Sequence, residues 1–477
     1  MQRQKIYKGL LVLAITAFFT SCKKDFIELN PPTSVDPSLA LRSEPDAKNA
    51  LSGAYAGLRG VGLYGRALPI YGDLLADNIY QHSSNSNRYT AFNNLNFTVA
   101  NADILSSWTQ GYNVILRANN IINCALPSSP TMDQIRGEAY AIRALSYFSL
   151  VRYFARPYTD NPDNLGLPLI LKYDAFAKPG RAKVSEVYAQ IITDLTTAFT
   201  LMTAPTASSS AATKNSSQFT KYGAKALLAK VYLTMGKMPE AKTAAEDVIN
   251  NSGYKTLGAS DVVGYWSNSS FRTDMLETLF EVSSDAVSNN GTDGLSYIYS
   301  QNGNYGDFVV ADPFYALFSA TDVRRLLMPV VPRPKPNGIA IPTVDKFPVI
   351  QGDVSDTKVL RMSEMYLIAA EASVGVDDVA ALNYVNFITS RRNAAPIASA
   401  GAALLEDILT ERRKELAFEG DRYMDLQRLK RNVVRGANFP ASIQSLPYTS
   451  YKRLFPIPQT ELDANPTLRP QQNPDWN

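Results

Sequence analysis

A stretch near the C-terminal end, residues 405–431, predicts two helices joined by a sharp turn. Its apolar residues recur at helical spacing on both sides of Gly420. Gly420 stands where a glycine commonly ends a helix, and Asp421 follows as a candidate N-cap. Opposite charges at neighbouring helical positions stabilise a solvated face by only about 0.2–0.5 kcal/mol per pair. The stretch therefore predicts an amphipathic helical hairpin whose charges face solvent and bind no ligand.

The residue order within this stretch resembles the C-terminal signature of the SusD/RagB proteins, which are nutrient-binding outer-membrane lipoproteins of Gram-negative bacteria. The matching positions are Ile408, Glu411, Arg412, Glu415, Leu416, Phe418, Glu419, Gly420, Arg422, Asp425, Leu426 and Arg428. Residues 135–154, 166–169 and 456–474 carry further matches. The resemblance implies a mainly α, SusD-like fold with degenerate tetratricopeptide-like helix pairs and a loop-rich, partly β insert.

Helical periodicity dominates the first half of the chain after residue 43. It predicts helices over 47–58, 103–126 and 132–154, with Pro127 ending the second, and a fourth that Ser185 caps. Aromatic residues at this spacing, such as Trp108 and Tyr147, are assigned to the core. Segments 224–249 and 361–388 both show a helix, a glycine turn and an alanine-bearing helix, which is typical of tetratricopeptide-like pairs.

The insert over 251–350 has a different texture, rich in Gly, Asn, Ser and Pro, with a short strand predicted at 278–283. We therefore expect one domain over 43–477. Within it, residues 43–250 form an N-terminal SusD-like region, 251–350 a loop-rich ligand region and 351–477 a C-terminal SusD/RagB region.

The first 21 residues resemble a lipoprotein signal peptide. Three basic residues precede an apolar run at 9–20, which is too short to span a bilayer. Ser21-Cys22 follows at once and resembles a bacterial lipobox, so Cys22 is expected to carry a palmitate-type lipid. The alternative is an ordinary secretory signal with an incidental cysteine. Residues 22–42 read as an extended tether, and its acidic Asp25 and Glu28 suggest the outer face of the cell outer membrane.

The charge balance argues against nucleic acid as a partner. The chain has 47 Lys and Arg against 44 Asp and Glu, and three of the basic residues lie in the signal segment. The mature chain is therefore neutral, whereas nucleic-acid binding needs a basic surface. The second cysteine, Cys124, is predicted to be a small buried residue.

Catalytic and metal-binding patterns find little support. His82 is the single histidine of the chain, which excludes a multi-histidine metal site and leaves a Ser-His-Asp triad without a suitable context. No glycine pattern for a phosphate or dinucleotide occurs, so no cofactor is expected. Paired carboxylates for glycoside cleavage stay open, because any two of 44 acids could meet at the required separation.

Two polar, aromatic segments, 78–97 and 289–308, are candidates for the ligand surface. Sugar rings present an apolar face and a hydroxyl rim, which suit flat aromatic rings flanked by amides, carboxylates and arginine. The candidate residues are Tyr80, His82, Arg88, Tyr89, Tyr297, Tyr299 and Tyr305. The resemblance implies that loops of these two regions converge, while the alternative is that the tyrosines merely cover the helices.

The resemblance implies a binding protein rather than an enzyme. Such a protein captures a glycan at the cell surface and passes it to a SusC-type TonB-dependent outer-membrane transporter. Three alternative functions remain open: an exported glycan-cleaving enzyme, a binder of peptides, and a helical-repeat scaffold for protein partners.

Overall fold

The computed structural model describes residues 41–301, 305–332, 339–348 and 354–476. The signal segment, Cys22 and most of the tether lie outside the described residues, as do residues 302–304 of the second candidate loop. The described ranges are mainly α-helical, as predicted. Within them, no helix is long and apolar enough to cross a membrane.

The longer helices carry the frame and short helices and strands fill the loop-rich regions. The helices are α1 Glu44–Leu58, α2 Ala67–Leu74, α3 Thr90–Asn93, α4 Ala102–Ile122, α5 Pro130–Phe154, α6 Val184–Leu201, α7 Lys221–Thr234, α8 Met238–Asn251, α9 Val262–Trp266, α10 Leu295–Tyr299, α11 Asp312–Tyr315, α12 Met362–Ser373, α13 Asp378–Ser390, α14 Gly401–Glu415, α15 Arg422–Arg428 and α16 Gln459–Ala464. The strands are β1 Ile79–Gln81, β2 Thr278–Val282, β3 Phe308–Val310, β4 Val330–Pro332, β5 Ala340–Pro342, β6 Thr357–Arg361, β7 Val433–Val434 and β8 Ser445–Leu446.

Two helix boundaries differ from the sequence predictions because side chains compete for the backbone. Helix α4 ends at Ile122, before Pro127, and the amide of Asn123 donates back to the carbonyl oxygen of Asn119 at 2.8 Å. Helix α6 begins at Val184, so Ser185 is not its cap. Instead, the Glu186 carboxylate accepts the backbone N–H of Lys183 at 2.7 Å, half of a capping box.

The two tetratricopeptide-like pairs are present as α7–α8 and α12–α13. Gly236 and Gly375 make their turns with φ of +73° and +76°, a left-handed conformation that glycine adopts without steric cost. Helices α8 and α12 pack together, and the Tyr384 hydroxyl of α13 donates to the Glu246 carboxylate of α8 at 2.8 Å. The glycine and alanine pattern therefore predicted both pairs correctly.

The strands form two-stranded antiparallel pairs, β1 with β3, β2 with β6, β4 with β5 and β7 with β8. The strand predicted at 278–283 is β2, and its partner β6 comes from the start of the C-terminal region. A cluster of stacked and edge-on rings lies beneath β1 and α3: Tyr71, Phe92, Phe97, Tyr153 and Phe455. This cluster supports the first candidate loop from below.

The C-terminal hairpin consists of α14 and α15, with Gly420 at φ +89° in the turn. The prediction of a solvated charged face is wrong for most of these side chains, because Glu411, Arg412, Glu415, Asp425 and Arg428 are buried among partners, several of them from other elements. Glu415 accepts hydrogen bonds from Arg361 and Arg392 at 2.9 Å. Asp421 does not cap α15 with its side chain; its carboxylate pairs with Lys230 at 2.8 Å.

The burial of Cys124 also differs from the prediction. The residue is half-buried at the end of α4, and its sulfur lies 3.8 Å from the Arg136 guanidinium. It follows the last turn of the helix, where the chain turns toward the surface, and that placement exposes part of the side chain.

Candidate functional site

The two candidate loops converge in space, as the sequence analysis expected. Strand β1 of the first segment pairs with β3 at the end of the second, with Tyr80 opposite Val309. The ladder continues past the strand, because the backbone N–H of His82 donates to the carbonyl oxygen of Asp307 at 2.9 Å. The two segments therefore form one surface although residues 98–288 separate them in the sequence.

Asp307 fixes the tip of the first loop to the second. Its carboxylate is fully buried and accepts the backbone N–H of Ser86 at 2.8 Å and the Ser86 hydroxyl at 2.5 Å. Hydrogen bonds to a charged acceptor are stronger than neutral ones. The tip therefore has a defined conformation, which a preorganised binding surface requires.

Arg88 joins the tip to the aromatic part of the second loop. Its guanidinium lies 3.9 Å from the ring centroid of Tyr305, and Nη2 donates to the Tyr305 hydroxyl at 3.0 Å. The same nitrogen donates to Asp293 Oδ1 at 3.2 Å. The side chain of Arg88 is 30 % exposed and that of Asp293 58 % exposed. This trio, Arg88, Asp293 and Tyr305, is the centre of the candidate site.

Arg66 supports the trio from below and was missed by the sequence analysis. Its Nη1 donates to Asp293 Oδ1 at 3.2 Å, and its Nε donates to the Tyr89 hydroxyl at 2.7 Å. A single arginine within the apolar run 61–71 is a signal that could have found it. Burial raises the pKa of Tyr89 to about 12, although Arg66 opposes the shift.

Two of the predicted ligand residues are buried, so the structure corrects their assignment. Tyr89 is 4 % exposed and packs edge-on against Tyr71, and Tyr299 is fully buried and stacks on Phe347. Neither ring offers a face to a ligand. The physical reason for Tyr299 is the short helix α10, which turns residues two apart to opposite sides, so Tyr297 points outward as Tyr299 points inward.

The remaining candidates are half-buried: Tyr80, His82, Arg88, Tyr297 and Tyr305. Tyr80 packs its ring against Phe439, with centroids 6.2 Å apart. The His82 ring accepts the backbone N–H of Ser84 on Nδ1 at 3.1 Å, so it shapes its own turn. We therefore find Arg88 and Tyr305 at the centre and Tyr80, His82 and Tyr297 on flanking parts of the two loops.

Over the described residues, no group of three or more His, Cys, Asp or Glu side chains is arranged to hold a metal ion. The chemistry that the site offers is therefore contact with an aromatic ring, hydrogen bonding from a guanidinium and acceptance by an exposed carboxylate.

Comparison with known proteins places the chain in a family. Residues 25–233 match a family model described as starch-binding associating with outer membrane. Residues 343–476 match the model of the SusD family. The chain belongs to the SusD/RagB family.

Relatives match this SusD/RagB chain along nearly its whole length. A SusD-like protein of Formosa agariphila is 28% identical, over 94% of this chain and 96% of the relative. A solved SusD superfamily structure from Bacteroides thetaiotaomicron is 29% identical with a TM-score of 0.81, covering 91% of this chain and 100% of that one. A putative sugar binding protein from Bacteroides vulgatus is 29% identical with a TM-score of 0.80, covering 92% and 100%.

Family membership accounts for the mainly α fold. Several residues of the C-terminal signature are the buried charged side chains of the hairpin. It supports a glycan-binding protein of nutrient uptake, and proteins of the SusD family are associated with the outer membrane. The hairpin of α14 and α15 lies within residues 343–476, which match the second family model, so the C-terminal signature belongs to the part of the chain that this model describes.

Proposed function

We propose that this protein is a cell-surface lipoprotein that captures a glycan and delivers it to a SusC-type TonB-dependent transporter. Family membership supports the class of function. The observation that carries the binding site is the convergence of the two loops around Arg88 and Tyr305. The proposed ligand surface is the trio Arg88, Asp293 and Tyr305, flanked by Tyr80, His82 and Tyr297.

The trio suits a sugar ring in a specific way. Arg88 already covers one face of the Tyr305 ring, so a pyranose would stack on the opposite face. The exposed carboxylate of Asp293 would accept hydrogen bonds from sugar hydroxyls, and the guanidinium would donate to them. Because Arg66 and Asp307 hold the surrounding groups in place, little ordering would be needed on binding.

Similar proteins favour a sugar over a peptide as the ligand. The model that matches residues 25–233 is described as starch-binding, and a similar solved structure is a putative sugar binding protein. We therefore propose a carbohydrate ligand and treat peptide binding as the alternative that an experiment must separate.

A binding screen on the soluble mature chain tests the proposal. The chain from residue 23 onward is titrated with plant and bacterial oligosaccharides and with a peptide panel, and product release is followed in parallel. We expect saccharide binding without turnover. Turnover would favour the exported enzyme, and exclusive peptide binding would favour the peptide-binding alternative.

Anchoring through Cys22 is part of the proposal. A diacylated cysteine with an additional amide-linked chain binds a bilayer far more strongly than the marginal attachment of a single acyl group. Mass spectrometry of the mature N-terminus should find lipid on Cys22. An unmodified Cys22, or a mature chain that starts elsewhere, would contradict the anchor without affecting the binding site.

The transporter partnership makes a separate prediction. A protein that closes a barrel from outside needs a wide contact surface, and specific interfaces bury about 1,200–2,000 Å² or more. We expect the protein to co-purify in mild detergent with an outer-membrane barrel of the SusC type. Recovery of the protein alone from native membranes would count against the partnership.

A further inference from the structure

A cavity of about 290 Å³ lies between helix α4, the segment 168–179 and helix α16. We call it the second cavity, to distinguish it from the candidate site on the two loops. Its lining shares no residue with the candidate site. The carboxyl of Asp103 at the start of α4 interacts with Arg66 and Arg88, whereas Trp108 and Tyr112 line the cavity. These two residues follow Asp103 by five and nine positions, which turns them by about 140° and 180° around a helix of 3.6 residues per turn.

The walls of this second cavity are held in place before any ligand arrives. The Tyr112 hydroxyl donates to the carbonyl oxygen of Pro168 at 2.9 Å, at one end of the segment. At the other end, the Lys178 ammonium donates to the carbonyl oxygen of Ala464 at 2.8 Å. The segment is therefore tied both to α4 and to α16, and a cavity with fixed walls needs little ordering on binding.

The lining combines flat apolar groups with a polar rim. Tyr112 and two proline rings provide the apolar surface, with Trp108 buried behind them, while Thr109, Asn113 and Glu461 stand at the rim. The lining holds one basic and one acidic side chain, Lys178 and Glu461, so its formal charges cancel. The cavity therefore suits a ligand with one apolar face, a hydroxyl edge and no charge. Its volume lies at the lower end of the roughly 300–1,000 Å³ that small-molecule sites occupy.

A second observation comes from the outer side of the same segment. Tyr173 is 62 % exposed and Phe176 is 90 % exposed, and both lie in the stretch between Ile170 and Ala177, two residues that line the cavity. Two exposed aromatic rings three residues apart beside a cavity provide apolar surface that a bound ligand could cover. Their rings would meet further sugar units of a chain that extends out of the cavity.

We propose that the second cavity is a carbohydrate site that works independently of the candidate site on the two loops and takes a short neutral saccharide. The inference rests on the proposed function for its ligand class. It adds that one protein molecule binds two saccharides, on opposite sides of α4.

Calorimetric titration tests the stoichiometry. Neutral tetrasaccharides of glucose, mannose, xylose and galactose are the probes, and Thr109→Phe fills the cavity from its exposed rim. The matched control is Thr193→Phe, an exposed threonine on the outer face of α6. We expect two bound saccharides per wild-type and Thr193→Phe chain and one per Thr109→Phe chain. The loop variants Arg88→Gln and Tyr305→Ala should lose the saccharide at the candidate site and keep the one in the second cavity.

The outcomes separate this inference from the proposed function. If the loop variants abolish all saccharide binding, or if Thr109→Phe binds two saccharides, the second site is contradicted and the proposed function stands. If no probe binds wild type, both are contradicted. Asn113→Ala is the milder variant should Thr109→Phe fail to fold, and it should weaken the second site at least fivefold while the first is unchanged.

Discussion

Among the described glycines, Gly72 leaves the least space for a side chain. A Cβ atom there would lie 1.9 Å from the carbonyl oxygen of Gly420, because α2 packs directly against the turn of the C-terminal hairpin. Alanine favours a helix over glycine by about 1 kcal/mol. We nevertheless expect Gly72→Ala to lower the free energy of unfolding by about 1–3 kcal/mol, the usual cost of overpacking. Denaturation by urea measures the change.

Gly53→Ala is the control for this prediction. Gly53 also lies within a helix, α1, but a Cβ there would meet no atom within 4 Å. Its replacement should be neutral or stabilising by up to about 1 kcal/mol. Equal effects of the two substitutions would contradict the close contact between α2 and the hairpin.

Glu138 should make stability depend on pH. Burial raises its pKa from 4.5 to about 7, although hydrogen bonds from Tyr55 and Gln134 oppose the shift. A carboxyl whose pKa is higher in the folded state stabilises the fold below about pH 4.5, and this contribution is lost as the pH rises through 7. Its size is up to about 3 kcal/mol.

Thermal unfolding between pH 5 and pH 8 checks this. Glu138→Gln keeps the side-chain shape and removes the titration, so the decline in melting temperature should flatten. The exposed Glu240→Gln on α8 is the matched control and should follow the wild-type curve. A Glu138→Gln curve parallel to wild type would mean that Glu138 does not titrate in this range.

At the scale of elements, the hairpin of α14 and α15 depends on its buried charges. Burial alone would raise the pKa of Glu415, but Arg392 and Arg361 hold it well below its usual value. Removing one member of a buried ion pair leaves the partner charge uncompensated and costs about 3–5 kcal/mol. We expect Glu415→Gln to lower the free energy of unfolding by that amount, measured by urea denaturation.

The control lies in the same hairpin. Glu406 pairs with Arg431 at the surface, where the two side chains are 57% and 37% exposed. Exposed pairs contribute only about 0–1 kcal/mol, so Glu406→Gln should be nearly neutral. If both substitutions had the same small effect, the buried network would not stabilise the hairpin.

The hairpin also shows what a sequence can and cannot predict. Its two helices and the glycine turn follow from local spacing, and they were predicted correctly. The burial of its charges depends on Arg361 and Arg392, which lie outside the hairpin in the sequence. Helical periodicity carries no information about such partners, so charged residues at helical spacing were interpreted as a solvated face.

For the candidate loops, too, the sequence predicted one part of the structure and not another. Their polar and aromatic composition, together with the family resemblance, predicted that they would converge. Which tyrosine faces outward depends on local backbone geometry, and residues 295–299 form a helix where the sequence showed only a loop. Tyr89 is buried because residue 89 has φ of +59° and directs its ring onto the aromatic cluster.

In the molecule as a whole, different parts of the chain form the helical frame and the proposed ligand surface. Helices α7–α8 and α12–α13 and the hairpin of α14 and α15 form a helical frame, whereas the first loop lies over the aromatic cluster of Tyr71, Phe92 and Phe455. The frame carries the family signature, whereas the loops carry the proposed chemistry. Changes at the loop surface should therefore alter binding without altering stability.

The most direct test of the central claim is the saccharide affinity of Tyr305→Ala at the loop site, measured by calorimetry alongside thermal unfolding. Loss of a stacking ring should cost about 0.5–1.5 kcal/mol beyond the lost contact area. We predict weaker binding at an unchanged melting temperature, while Tyr222→Ala, a half-buried tyrosine on α7, keeps wild-type affinity. Wild-type affinity in Tyr305→Ala, or a loss that only accompanies unfolding, would contradict the proposed site.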